Sequence, residues 1–132
     1  MGAMLFSVIA ISAGAALGAT ARWLLGLALN AAYPLIPLGT LAANLLGGFI
    51  CGLALSVFVA FPIASPTWRL FIVTGFLGAL TTFSTFSAEV ASLLQQQRFF
   101  IAGAAVALHV GGSLAAFFLG MGTFVAVRRF FQ

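Results

Sequence analysis

Few residues in this chain can do chemistry. Its 132 residues hold one histidine, one cysteine, a single acidic residue (Glu89) and five arginines. A hydrolytic site needs a nucleophile, a base and an orienting group, and His109 has no acidic partner in the sequence but Glu89. Ligand spacing for a metal cluster is missing as well, so no enzyme is expected. What remains is the stretch Gly75-Phe76-Leu77-Gly78-Ala79-Leu80-Thr81-Thr82-Phe83-Ser84-Thr85-Phe86-Ser87. A phenyl ring has a negative face and a positive edge. Phe83 and Phe86, three apart, share one helix face, and Thr82, Ser84, Thr85 and Ser87 surround them with hydroxyls. Ring edges, hydroxyls and an amide would line a route for a small, hard anion and replace part of its hydration shell. A fixed positive charge would hold such an ion too tightly, and conduction needs weak, multiple sites.

Three polar side chains lie inside apolar runs, and each has two readings. Asn44, within Leu41-Ala42-Ala43-Asn44-Leu45-Leu46, must find a partner for its amide. That partner is either another helix or an ion in a pore. Glu89 is an ionisable group within a span, which points to function; the other reading is a carboxylate near the aqueous end, capped by hydroxyls. His109 either serves a polar route or packs with a hydrogen bond. Cys51 reads as a small buried hydrophobe.

The elements that must position these residues are membrane spans. The chain is 64% hydrophobic and 5% charged, with a mean hydropathy of +1.26, more apolar surface than a soluble domain of this size can hide. Four segments have the ~20 apolar residues that a spanning helix needs: 4–29, 38–61, 67–97 and 99–127. Residues 1–132 read as a single four-helix transmembrane domain. Tyr33, Pro34 and Pro37 mark the first turn, and Pro62 to Pro66 closes the second span. Ala19-Thr20-Ala21 has the look of a cleavage site, but no basic residue precedes the apolar run, so the first span is expected to stay. The pairs Gly14/Gly18 and Gly48/Gly52, with Gly111, Gly112 and Ser113 in the last span, predict close helix packing.

The third span is expected to break near 78–82 and restart into Thr82–Gln97. Such breaks are tolerated where they are buried in protein or line a wet cavity. The new helix start leaves N–H groups unpaired, suited to an anion, and the end before it leaves C=O groups, suited to a cation.

Charge placement bears on orientation. With four spans, Arg69, Arg128 and Arg129 share the side of the termini, while Arg22 and Arg98 lie on the other. Basic loops stay cytoplasmic, and three against two leaves that rule almost nothing to act on. Both insertion orientations are expected, and two opposed copies then form an antiparallel homodimer. With no basic cluster beyond Arg128-Arg129, no nucleic-acid partner is expected; the contacts are with membrane lipid and a second copy.

The stretch from Gly75 to Ser87 resembles the signature of the Fluc (CrcB) family of microbial fluoride channels. Gly39-Thr40-Leu41 followed by Asn44 is similar to that family too, as is Arg22-Trp23, and the resemblance covers the whole chain. It implies an all-α, dual-topology dimer in the bacterial inner membrane, with two pores that export cytoplasmic fluoride down its gradient. Phe83 and Phe86 would supply ring edges and Asn44 an amide donor. Thr40, Thr85 and Ser113 would lie along a polar track, and Arg22 near a wet vestibule. Ser84, Glu89 and His109 are further polar candidates. Gly78 and Thr81 would offer backbone carbonyls to a structural Na+ at the dimer centre. Ala105 stands where a tyrosine or another polar residue would have suited the track.

The competing reading is a four-span, dual-topology, proton-coupled cation exporter. It needs a carboxylate deep in the first span, and that span has none. A non-transporting assembly factor would leave the hydroxyl–phenylalanine stretch unexplained.

Overall fold

The computed structural model describes residues 2–62 and 65–131. Every regular element in them is helical. Helix α1 (Gly2–Leu29) runs into a short 3-10 turn, Asn30–Ala32, and α2 covers Leu38–Ala60. Helix α3 (66–80) opens with Pro66 in its first turn, where a missing N–H costs nothing. It widens into π-type turns over Leu70–Leu77 before closing with Gly78–Leu80. Helix α4 (Phe83–Gln95) follows, and α5 spans Phe99–Phe130, with another π-type stretch at Ala107–Gly111. Four segments are long and apolar enough to cross a membrane: α1, α2, α3 with α4, and α5. Part of the turn between Pro62 and Pro66 lies outside the described residues.

Large apolar side chains face outward along every span. Phe6, Leu27, Val59, Phe100 and Phe118 are among the most exposed, as expected where the solvent is lipid. Small residues sit where the helices touch. A Cβ added at Gly14 or Gly18 would strike the backbone of α3, at the carbonyls of Phe71 and Phe76. One added at Gly52 would meet the Phe117 carbonyl of α5, and Gly120 returns the relation against Phe49 of α2. Two seams with backbone against backbone thus hold α1 to α3 and α2 to α5. The expected pairs Gly14/Gly18 and Gly48/Gly52 all lie in these seams, whereas Gly111 faces open space.

The turns are held by side chains. Asn30 Oδ1 accepts from the Gly39 N–H (2.8 Å), satisfying one of the free donors at the start of α2. Arg69 donates to the Phe58 carbonyl (3.2 Å) and lies over the Phe58 ring, so it covers the end of α2. Helix α4 stops at Gln97, which takes a left-handed φ of 59°. Gln97 N–H bonds to Leu94 O and Arg98 N–H to Leu93 O, the paired hydrogen bonds of a Schellman C-cap.

Candidate functional site

The break falls at Thr81–Thr82, where the backbone turns extended (ψ 154° at Thr81, φ −147° at Thr82). Two substitutions of partner define it. In a continuous helix the Thr82 N–H would bond to Gly78 O; here it donates to Asn44 Oδ1 at 2.7 Å. The Thr85 N–H would bond to Thr81 O; here it donates to Thr82 Oγ1 at 3.2 Å, which makes Thr82 the N-cap of α4. The carbonyls of Gly78 and Thr81 are therefore released from the donors that a helix would send them.

Asn44 spans the gap from α2. Because its Oδ1 accepts from a backbone N–H, which can only donate, its amide orientation is fixed. Its Nδ2 then donates twice, to Thr82 O (3.0 Å) and to His109 Nδ1 (2.9 Å). One side chain thus takes over the bond that the Thr82 N–H would have made in an unbroken helix, adds a donor to Thr82 O, and ties α2, the break and α5 together. Of the two readings of Asn44, the structure shows the interhelical bond.

Aromatic rings extend this seam. Phe86 is buried, and its ring stacks on that of His109 with centroids 4.7 Å apart and 28° between planes. Phe83 meets Phe86 edge to face at 5.5 Å, yet 77% of its surface is exposed. His109 is buried, and its Nε2 has no hydrogen-bond partner among the described residues.

Two hollows flank the break. A cleft of about 500 Å³ is lined by Asn44, Gly78, Thr81, Phe83, Phe86, His109 and Ser113, with Cys51 on its wall. A more polar cavity of about 480 Å³ is lined by Arg22, Trp23, Asn30, Thr40 and Thr85. Thr82 borders both. Within reach of the second cavity, Thr40 Oγ1 donates to Glu89 Oε1 at 2.7 Å, so the carboxylate does carry a hydroxyl partner. Thr82 Oγ1 gathers Thr85 Oγ1 (3.0 Å) and Ser84 Oγ (3.5 Å).

Most sequence-derived site residues thus fall into two groups: Asn44, Phe83, Phe86, His109, Ser113, Gly78 and Thr81 on the cleft, and Arg22, Thr40 and Thr85 on the cavity; Glu89 and Ser84 line neither and connect to the site through Thr40 and Thr82. Ala105 packs instead into an apolar cluster with Ile36, Leu93 and Ala102. Sequence reasoning passed over Asn30 and, although it placed Thr82 among the hydroxyls at the helix restart, over the capping role of Thr82. Asn30 follows an apolar run and precedes a Pro-marked turn, which is where a capping amide belongs. Thr82 precedes Thr85 by three, the spacing of an N-cap hydroxyl and the N–H it accepts from. Among the described residues, no three His, Cys, Asp or Glu side chains gather into a metal site.

Four apolar spans around a buried polar seam, with an interrupted helix at its centre, define a multi-pass membrane protein. The chain belongs to the CrcB family: the family model described as "CrcB-like protein, Camphor Resistance (CrcB)" matches residues 9–121. It is 59% identical over 126 residues to a protein of Tolumonas auensis, covering 96% of this chain and 99% of that one. It is 57% identical over 126 residues to a protein of Chromohalobacter salexigens, covering 96% of each. A protein of Desulfovibrio desulfuricans is 57% identical over 129 residues, covering 98% of this chain and all of that one. All three relatives are named fluoride-specific ion channel FluC.

Proposed function

We propose that this chain forms a fluoride channel, working as an antiparallel homodimer in the bacterial inner membrane. The observation that carries this reading is the seam of ring edges, hydroxyls and amide around Thr82, in a chain 59% identical to a protein named as such a channel. The cavity beside Arg22 would admit a hydrated anion to the protein. Thr40 and Thr85 would guide it to the wall at Thr82, and Phe83, Phe86 and Ser113 would receive it on the far side. No lysine or arginine lines the cleft, so attraction there is weak and the ion can leave. Asn44 orders this wall by holding the break; to donate to an ion it must give up one of its two present bonds. The channel is passive: fluoride formed from HF inside the cell leaves down its gradient. The exporter reading needs a carboxylate in α1, which has none. Proteoliposomes decide between them. Rapid fluoride efflux without chloride efflux or cationic-dye transport is expected, and dye uptake without fluoride efflux would reverse the choice.

Dual topology rests on the near-equal arginine counts on the two sides and gives each pore a wall from each copy. The exposed face of Phe83 is the surface such a partner would cover. Cysteine labelling at a terminal position, in a Cys51-free background, is expected to show protection in about half the molecules by that balance. Labelling from one side only refutes it.

A structural sodium ion would suit the break. Gly78 and Thr81 line the cleft, and their carbonyls, released as described, would hold it at the dimer centre. A ligand set of neutral carbonyls, without carboxylate, suits a monovalent cation better than calcium or magnesium. Exchange into sodium-free buffer is expected to weaken the dimer and lower fluoride flux. Unchanged assembly and unchanged flux would remove sodium from the structure.

A further inference from the structure

The tautomer of His109 follows from geometry. Asn44 Oδ1 is committed to the Thr82 N–H, so Asn44 Nδ2 faces His109 Nδ1 as a donor. Nδ1 must therefore be the accepting nitrogen, and a neutral imidazole then carries its proton on Nε2. That Nε2–H is buried and has no partner among the described residues of the protomer. An orphan donor is costly, more so where lipid surrounds the protein and no water relieves it. A buried group of this kind calls for a missing partner, and a group that can only donate calls for an acceptor.

Three further features place that acceptor. His109 lines the cleft together with Phe86 and Ser113. It sits inside the π-type stretch Ala107–Gly111, a wide turn of the sort found often at functional sites. Its ring is stacked on Phe86, and stacked rings present their edges to a common rim. An anion drawn to the positive edge of Phe86 meets the N–H edge of the imidazole beside it. Both N–H bonds of Asn44, by contrast, are already used.

We propose that His109, as the Nε2–H tautomer, is an anion-binding residue of the cleft, donating a hydrogen bond from Nε2 to fluoride while Asn44 holds Nδ1. This rests on the fluoride reading above. The chain has one histidine, so its imidazole gives a single set of 15N signals in nanodiscs. The expected spectrum shows Nε2 protonated and Nδ1 bare, with the Nε2 signal moving saturably on addition of NaF and not of NaCl. Two variants separate donating from packing. His109→Asn keeps an acceptor near the place of Nδ1 and removes the Nε2 donor. His109→Gln sets an amide donor near the place of Nε2. Assembled His109→Asn is expected to lose about tenfold or more in fluoride flux, the effect of one hydrogen bond to a charged partner, while His109→Gln retains more. An Nε2 signal indifferent to fluoride overturns the proposal, as does wild-type flux in His109→Asn; if that variant fails to assemble, the spectrum of the wild type decides. Absence of fluoride flux from the wild type would instead overturn the channel reading, and the spectrum would still decide this one.

Discussion

Phe83→Ile and Phe86→Ile are expected to cut fluoride flux by roughly tenfold or more each, the scale of losing one ring-edge contact of about 1.4 kcal/mol. Isoleucine keeps an apolar side chain but has no quadrupole. The two positions test different things. Phe83 is largely exposed in the protomer, so its replacement should leave protomer stability within about 0.5 kcal/mol. Phe86 is buried and stacked on His109. Its replacement loses that stack and part of its packing, at a cost below the ~3–5 kcal/mol of truncating a core phenylalanine to alanine. Methionine, with a polarizable sulfur, should be better tolerated than isoleucine at both. Assembly is read by size-exclusion chromatography and flux by a fluoride electrode on proteoliposomes. If a properly assembled Phe83→Ile dimer conducts like the wild type, ring edges are not part of the route and the phenylalanines only pack.

Those two phenylalanines also show how far the sequence reaches. Spacing of three put them on one face, and their rings do touch. But residues three apart on a helix of 3.6 per turn point about 60° from each other, enough to bury one and leave the other outside. Composition alone made the four spans legible, because a bilayer demands long apolar helices. The break was legible too, because hydroxyls clustered in an apolar segment compete with the helical ladder. What was not legible is which group replaces the lost ladder bonds. Asn44 and Thr82 lie 38 residues apart, and Asn44 and His109 lie 65 apart. No local pattern encodes such pairs. The same holds for Thr40 and Glu89, 49 apart. Glycine pairs at a spacing of four announced one wall of each helix seam, while Gly75 and Gly120, which stand opposite, stay silent until the helices are docked.

Asn44 is where the largest loss is expected, because one side chain serves three groups. Asn44→Asp keeps an acceptor for the Thr82 N–H but can offer no proton to Thr82 O or to His109 Nδ1. It turns two hydrogen bonds into two close approaches between lone pairs, and its carboxylate adds repulsion toward an anion. Asn44→Leu is of similar size and uncharged, yet it strands the Thr82 N–H and the accepting Nδ1 of His109 together. Each group so left costs about 1–3 kcal/mol, and lipid cannot repair it. Both variants are therefore expected to lower the thermal stability of the assembled protein and to lose nearly all fluoride flux. Asn44→Leu is expected to be the less stable of the two, since Asp still satisfies the Thr82 N–H. Residual flux then separates two roles for the residue: if holding the break is all that matters, the better-folded Asn44→Asp retains the more flux, and if charge in the path matters, it conducts no better than Asn44→Leu. Melting curves in detergent with parallel efflux assays give both readings. An Asn44→Leu protein that melts and conducts like the wild type would mean that the break at Thr82 stands without its clamp.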